Sequence, residues 1–391
     1  MSTGRILATD RKSSLLNCSS AAAVSEAIMS LQQRQGVVCK ETKNLIDYAL
    51  VDAFTDEAFK GNPAAVCYLL APKEARWMQQ VAAEFNLSET AFLVRRSAHG
   101  GGEGGEEPLL QDEENAAEKN ENNHEMKSAA ALNCTANLTV SSFPNNKEVD
   151  KLHHAASATA DLEKVSEYDL RWFTPAAEVD LCGHATLATA HLLFASEIVK
   201  GTVIHFHTKS GILPVHKVLG ADGEWEGKVE LNFPITVTSS CSPSLLLPLT
   251  KTLRDVEVIF IGKTAAGHLL VELSSADHVK GLEVWSDEVV NSDCFGMIIT
   301  ASCSSAKDSH YDFVSRFFCP KLLVNEDPVC GSAHCALAPY WAAKLGRQQL
   351  RAYQASKRGG VLDLKVDMEA RRVYIQGGAV LVMAGIFVDT S

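Results

Sequence analysis

One pattern occurs twice in this chain, and that repetition constrains the fold more than any other feature. Cys182-Gly183-His184-Ala185-Thr186-Leu187-Ala188-Thr189-Ala190 returns as Cys330-Gly331-Ser332-Ala333-His334-Cys335-Ala336-Leu337-Ala338, with Cys, Gly and three Ala in register. The flanks recur as well. Arg171-Trp172-Phe173-Thr174-Pro175 precedes the first copy and Arg316-Phe317-Phe318-Cys319-Pro320 the second, and Gly-led apolar runs follow at Gly211 and Gly359. Lys228-Val229-Glu230-Leu231 and Arg372-Val373-Tyr374-Ile375 then close each series. Elements repeated in one order indicate a duplication, so the chemistry is expected where the two halves face each other.

A chain of 391 residues exceeds what one core supports and predicts two lobes of roughly 100–150 residues each. The periodicity sets them at 46–233 and 234–376, after an N-terminal extension over 1–45. A last strand in 377–391 is expected to return to the first lobe. Residues 97–166 break the first lobe with Gly-Gly-Gly-Glu-Gly-Gly-Glu-Glu and Asp112-Glu113-Glu114-Asn115. So much charge and so little apolar surface cannot offset ordering entropy, which predicts a disordered acidic insertion. Residues 1–45 read as a poorly ordered tail with a helix around Ala21 to Gln33; organellar import is the alternative reading.

Composition excludes several classes. A net charge of −12, with no Lys/Arg stripe interleaved with aromatics, speaks against nucleic acid. Eleven cysteines without CxxC pairs suit neither a disulfide framework nor a zinc site and suggest a reducing, cytoplasmic setting. No run of about 18 apolar residues predicts a membrane span. The Asn-x-Ser/Thr triplets at Asn17, Asn86, Asn133 and Asn137 read as chance matches.

Alternation predicts a strand from Ile46 to Phe54, a turn at Lys60-Gly61-Asn62-Pro63 and a return strand over 64–70. Trp77, Val81 and Phe85 have helical spacing between Pro72 and Asn86, and a strand over 91–94 follows, with Glu89 in the turn between them. Further strands are expected at 171–173, 202–208, 212–218 and 228–233, then at 256–261, 269–273, 295–300, 311–318, 361–366, 372–376 and 380–388. Two helices, His184 to Ser196 and Ser332 to Leu345, are apolar on every side and must be enclosed by protein. Gly346 should stop the second and Pro339 kink it. The fold class is therefore α+β: two pseudo-symmetric lobes, each a curled, mostly antiparallel sheet round a buried central helix.

Both motif copies put small residues where a loop enters a buried helix. The first amides of a helix lack partners and carry the positive end of its dipole, so they suit a carboxylate or phosphate. Gly183 and Thr186 in one copy, and Gly331 and Ala333 in the other, are accordingly candidate substrate-binding positions. The plainer reading is that Gly and Ala permit close helix packing. The polar candidates are His184, Asp327, Ser332 and His334. A histidine at a helix start is biased to the neutral form that transfers protons, whereas Asp327 and Ser332 also suit a turn and a cap. Glu89 would become a base only if its turn faced the cleft, where desolvation raises a carboxyl pKa.

Asp52-Ala53-Phe54-Thr55, Gly61-Asn62-Pro63-Ala64-Ala65-Val66, Leu87-Ser88-Glu89-Thr90-Ala91-Phe92, Cys182-Gly183-His184-Ala185-Thr186, Glu326-Asp327-Pro328-Val329-Cys330-Gly331-Ser332-Ala333-His334 and Gln354-x-Ser356-x-Arg358-Gly359-Gly360 together resemble the PhzF-like, phenazine-biosynthesis isomerase family. The resemblance runs from about 46 to 388 outside the insertion. It implies the diaminopimelate-epimerase fold, no metal or organic cofactor, a homodimer, and proton transfer within a small carboxylated substrate. It assigns Glu89 as the base and acid, with His184, Asp327 and Ser332 lining the site. Cys330 departs from relatives that carry Thr there. Cys182 and Cys330 thus allow a second reading, a two-thiol racemase or epimerase. A non-catalytic small-molecule binder on the same fold is a third. Arg358 is a candidate partner for a second anionic group or a surface charge, and loops 52–62 and 350–360 are the expected specificity walls.

Overall fold

A computed structural model describes residues 45–96, 165–303, 310–322 and 324–389. The expected tail with its helix, most of the insertion expected at 97–166, and the triplets at Asn17, Asn133 and Asn137 lie outside these residues. The first lobe opens with β1 (Leu45–Ala53), β2 (Asn62–Leu69), α1 (Ala75–Phe85) and β3 (Glu89–Arg95). It continues with β4 (Ser166–Phe173), β5 (Glu178–Val179), α2 (Gly183–Ala195), β6 (Val203–Thr208), β7 (Gly211–Leu219) and β8 (Trp225–Pro234). The second has β9 (Thr238–Ser240), β10 (Val258–Thr264), β11 (Leu269–Leu273), α3 (Ala276–Gly281), α4 (Ser286–Asn291), β12 (Met297–Ser302), β13 (Phe313–Cys319) and β14 (Val324–Asp327). Then come α5 (Gly331–Leu345), β15 (Gln349–Gln354), β16 (Gly360–Asp367) and β17 (Arg372–Val388).

Strand pairing carries the duplication further than the sequence motif does. From β1 to β8, without β5, successive pairs run antiparallel, parallel, antiparallel, parallel, antiparallel, antiparallel. From β10 to β17, without β14, the same series recurs. Each parallel pair requires a crossover, and the crossovers match too. One is α1 or the α3 and α4 pair; the other is a short strand followed by a central helix, α2 or α5.

β17 joins the halves. Residues 372–376 of β17 pair with both β8 and β16, and residues 379–388 pair with β1, which closes the first sheet into a ring round α2. Gly377 and Gly378 read as a break between two strands, yet β17 is continuous there. The glycines serve close approach instead: a Cβ on Gly377 would come within 2.5 Å of the Phe54 ring, and Phe54 donates its N–H to the Gly378 carbonyl at 2.8 Å.

The central helices are enclosed as their composition demands. Ala185, Leu187, Ala188, Ala190 and Leu193 of α2, and Leu337, Ala338 and Trp341 of α5, are inaccessible to solvent. α1 instead lies outside the first sheet, where Trp77 and Phe85 meet Phe92, Tyr48 and Phe387. It starts at Ala75 rather than Pro72 and ends at Asn86 in the left-handed conformation. Gly346 stops α5 in the same conformation, at φ 68°. Pro339 cannot donate to Cys335, and that freed carbonyl accepts from the Thr236 N–H at 3.0 Å. Glu89 stands on β3 opposite Ala64, not in the preceding turn. The short elements α3, α4, β9, β14 and β15 have too few residues for a readable period.

Trp341 is fully buried, stacks on Phe313 and donates its indole N–H to Thr300 Oγ1 at 3.0 Å. Trp341→Ala should lower unfolding free energy by about 3–5 kcal/mol in a urea titration. A loss below ~1 kcal/mol would contradict this packing.

Candidate functional site

The N-termini of α2 and α5 meet. A Cβ placed on Gly183 would lie 3.7 Å from Gly331 Cα, and one on Gly331 would lie 3.8 Å from Gly183 Cα. Cys182 and Cys330 occupy the two N-cap positions in extended conformation, so both chains enter their helices alike. No described group accepts from the amides of Gly183, His184, Gly331 or Ser332. Two helix dipoles thus present unpartnered N–H groups to one point, a ready anion site.

That point opens into a cavity of about 180 Å³. Cys182, Gly183, Cys330 and Gly331 form its floor, and Glu89, His184, Asp327 and Ser332 reach its walls. Leu181, Phe233, Pro234, Thr236 and Cys335 supply the remaining apolar and small surface. None of these lining residues is Lys or Arg, so backbone dipoles are the positive groups of this cavity.

Glu89 enters from the start of β3, and its Oε2 lies 3.3 Å from His184 Nε2. Burial pushes the Glu89 carboxyl up to about 7, against a lowering contribution from Ser88. Burial has the opposite effect on the imidazole and lowers His184 to about 4. His184 is therefore neutral near pH 7, while Glu89 is divided between its acid and its base. The Ser88 hydroxyl also lies 3.3 Å from His184 Nε2, and Cys182 Sγ lies 3.5 Å from Nδ1. The histidine is held from both ring nitrogens.

Asp327 ends β14 and is raised to about 6, mainly by burial, with His184 lowering it and Glu89 raising it. Its Oδ1 accepts from Asn62 Nδ2 at 2.9 Å and from the Val329 N–H at 3.1 Å. Ser332 is exposed to the cavity, with its Oγ 3.2 Å from Cys330 Sγ. Burial drives the Cys182 and Cys330 thiols well above their ordinary range, so both are protonated at neutral pH.

Glu89, Cys182 and His184 bring one donor atom each within 4.8 Å. The set fits a metal poorly. Glu89 and Cys182 approach different nitrogens of the same ring, whereas a cation takes one nitrogen, and the thiol would first have to lose its proton.

Several expected residues fall elsewhere. Thr186 is fully buried and bonded to the Cys182 carbonyl, and Ala333 is buried; neither lines the cavity, because the third and fourth residues of a helix have turned away from its tip. His334 is structural: Nδ1 contacts the Cys330 carbonyl at 2.7 Å, Nε2 contacts Ser315 Oγ at 3.4 Å, and the ring is inaccessible. Arg358 does not line this cavity and is not an unpartnered charge. Its guanidinium binds Asp52 Oδ1 at 2.7 Å and the Gly61 and Lys60 carbonyls at 2.8 Å. Loops 52–62 and 350–360 contribute nothing to the cavity wall; the stretch from Phe233 to Thr236 does, although its alternating pattern reads only as a strand end. Asn62, which reads as turn chemistry, is the polar contact that sequence reasoning missed.

No described helix is long and apolar enough to cross a membrane. Fold and site together define a two-lobed, epimerase-like architecture with its reactive groups at the seam. The sequence matches the family described as phenazine biosynthesis-like protein (PhzC-PhzF) over residues 51–103 and 116–385. An uncharacterized isomerase of Halalkalibacterium halodurans is 37% identical over 338 residues, covering 85% of this chain and 95% of that protein. A crystal structure of a PhzF family protein from Enterococcus faecalis is 33% identical, covers 88% of this chain and 100% of its own, and superposes with a TM-score of 0.64. A predicted epimerase of Pseudomonas aeruginosa, 14% identical with a TM-score of 0.54, covers 88% of this chain and 99% of its own and shares the fold. The chain therefore belongs to the phenazine biosynthesis-like family, and its bacterial relatives place it among isomerase-type enzymes.

A carboxyl raised from 4.5 to about 7 makes the folded state bind more protons than the unfolded one between those pH values, so stability falls as pH rises through that window. Glu89→Gln should consequently be more stable than the parent above pH 7, by at most ~3 kcal/mol. The advantage should vanish as pH falls below about 4.5, where the Glu89 carboxyl becomes protonated in both states. Thermal melts of both proteins across this range provide the check, and an advantage that is flat with pH would contradict the burial assigned to Glu89.

Proposed function

We propose that the protein moves a proton within a small carboxylated molecule, with Glu89 as the single base and acid and without help from a cofactor. The observation that carries this reading is the Glu89 carboxyl, raised to about 7 and lining the cavity onto which the two helix tips open. A carbon acid beside a carboxylate gives up its proton only if the resulting charge is stabilised. Glu89 would take that proton, and the electron pair would delocalise onto the carboxylate oxygens held by the amides of Gly183, His184, Gly331 and Ser332. In a substrate with a double bond next to that carbon, the pair also reaches the far end of the double bond, and protonated Glu89 would return its proton there. His184, neutral and 3.3 Å from Glu89, would accept or donate a hydrogen bond as the carboxyl changes state. Ser332 and Asp327 would orient the polar substituents.

Size and charge restrict the substrate. The cavity of about 180 Å³ is smaller than the roughly 300–1,000 Å³ typical of drug-sized ligands. With no cationic side chain in its wall, it suits one carboxylate on an otherwise neutral, partly apolar skeleton. The two-thiol reading has both Cys182 and Cys330 in the cavity wall in its favour, but burial keeps thiolate scarce.

Solvent deuterium should wash into an α or allylic carbon of a member of a small-carboxylate panel. Glu89→Gln should slow this about 10²–10⁴-fold, while Cys330→Ser leaves it nearly intact. The reverse pattern would establish the two-thiol reading, and tight binding with no exchange across the panel would establish a binding protein. Because Glu89 must be deprotonated to act, kcat/KM should rise with pH and level off above about 7. A rate that falls through that range would refute Glu89 as the base.

A further inference from the structure

We infer that Asn62 is a positioning residue that ties the Glu89 and His184 pair of the first lobe to Asp327 of the second and decides which Asp327 oxygen can carry a proton. The inference rests on the reading of these residues as the reacting site, and it extends that reading to a side chain that does not line the cavity.

The local sequence prepares the position. Gly61 has φ +61°, and a Cβ there would come within 2.1 Å of the Ala53 carbonyl oxygen, so only glycine fits before Asn62. Pro63 restricts Asn62 to extended backbone, and Asn62 opens β2 with no solvent exposure. Arg358 pins the preceding loop through the Lys60 and Gly61 carbonyls. The side chain that emerges is therefore held on a fixed mount, as a preorganised site requires.

An asparagine amide offers two N–H donors and one carbonyl acceptor, and every one is engaged. Nδ2 donates to Asp327 Oδ1 at 2.9 Å and to the Val329 carbonyl at 3.0 Å. Because Val329 O can only accept, the amide's orientation is settled by its partner. Oδ1 accepts from Ser88 Oγ at 3.2 Å, and the same hydroxyl lies 3.3 Å from His184 Nε2, beside Glu89. One side chain thus touches both halves of the site across 265 residues of sequence.

The consequence falls on Asp327. Its Oδ1 already accepts two N–H groups, from Asn62 and Val329, so a proton bound there would displace one of them. A proton on Asp327 is directed to Oδ2. The other groups that face this carboxyl are His184, Glu89 and the Cys330 thiol, while Gln354 Nε2 holds its backbone carbonyl at 2.7 Å. The Asn62 amide, a neutral donor like the Val329 N–H and the Cys330 thiol, favours the ionised form of Asp327 without adding charge to the cavity.

The test is a pH titration of the full chain carrying ¹³Cγ-labelled aspartate, followed by NMR, with the Asp327 signal identified by its loss in Asp327→Asn. Loss of a hydrogen bond to a charged group should raise the Asp327 midpoint by about one to two units in Asn62→Leu. Asn62→Asp, which preserves shape, should raise it as well, because two adjacent carboxyls share one proton; it serves if the leucine variant does not fold. Ser88→Ala, on the other side of the amide, should leave the Asp327 midpoint in place. For any carboxylate that exchanges deuterium with the parent protein, Asn62→Leu should lower kcat roughly tenfold or more with little change in KM. An Asp327 midpoint unmoved in both Asn62 variants, or moved equally by Ser88→Ala, would overturn the inference. If no carboxylate exchanges with the parent, the proposed activity fails, and the titration still decides the role of Asn62.

Discussion

The contact between the first turns of α2 and α5 is the constraint on which the remaining structure depends. Two positive helix ends repel, and two rows of unpartnered amides are costly to bury. They are tolerable together only if something negative is held between them or solvent can reach them. Cys-Gly at each N-cap brings the two first turns near enough that a Cβ on either glycine would touch the other's Cα, and the enclosing sheets fix the helices so that the approach cannot relax. β17, which pairs with strands of both lobes, ties the two together and keeps both helices at the same point.

A site built this way sets the protonation of its neighbours. Glu89 and Asp327 are raised, and His184 and His334 lowered, chiefly by burial. Removing acids and imidazoles from water moves them in opposite directions, since each loses its charged form. Glu89 and His184 therefore approach neutrality as an uncharged or singly charged pair. The thiols, burdened by the same burial and by adjacent carboxyls, remain protonated.

The scaffold is symmetric and the chemistry is not. The parallel ladder of the first lobe opens with Ala64 opposite Glu89, and the equivalent ladder of the second opens with Leu269 opposite Met297. At the second helical position, His184 in one lobe faces Ser332 in the other. Duplication supplied two helix starts with free amides, but only the first lobe carries a carboxyl at the head of its parallel ladder, and the second lobe contributes Asp327 from a different element. Asn62 bridges that asymmetry by linking Ser88, beside Glu89 and His184, to Asp327 in the opposite lobe.

Much of this was legible in the residues alone. The repeated Cys-Gly-x-Ala motif implied two lobes, the apolar runs after Gly183 and Gly331 implied enclosed helices, and the N-terminal amides implied an anion site. Those features depend on local periodicity and on groups close in the chain. The sequence did not reveal that Glu89 leaves its turn for the first position of β3, or that Arg358 is consumed by Asp52. Nor did it show His334 satisfied by Cys330 and Ser315, or Thr186 and Ala333 facing away from the cavity. These outcomes depend on strand pairing, on partners that only the fold brings together, as far as 306 residues apart for Arg358 and Asp52, or on the rotation of a helix about its axis. A turn-forming asparagine becomes a strut between the lobes only when the second lobe brings an aspartate to within 2.9 Å. Periodicity determines which residues are buried, but three-dimensional packing decides what each buried polar group meets, and here that meeting creates the site.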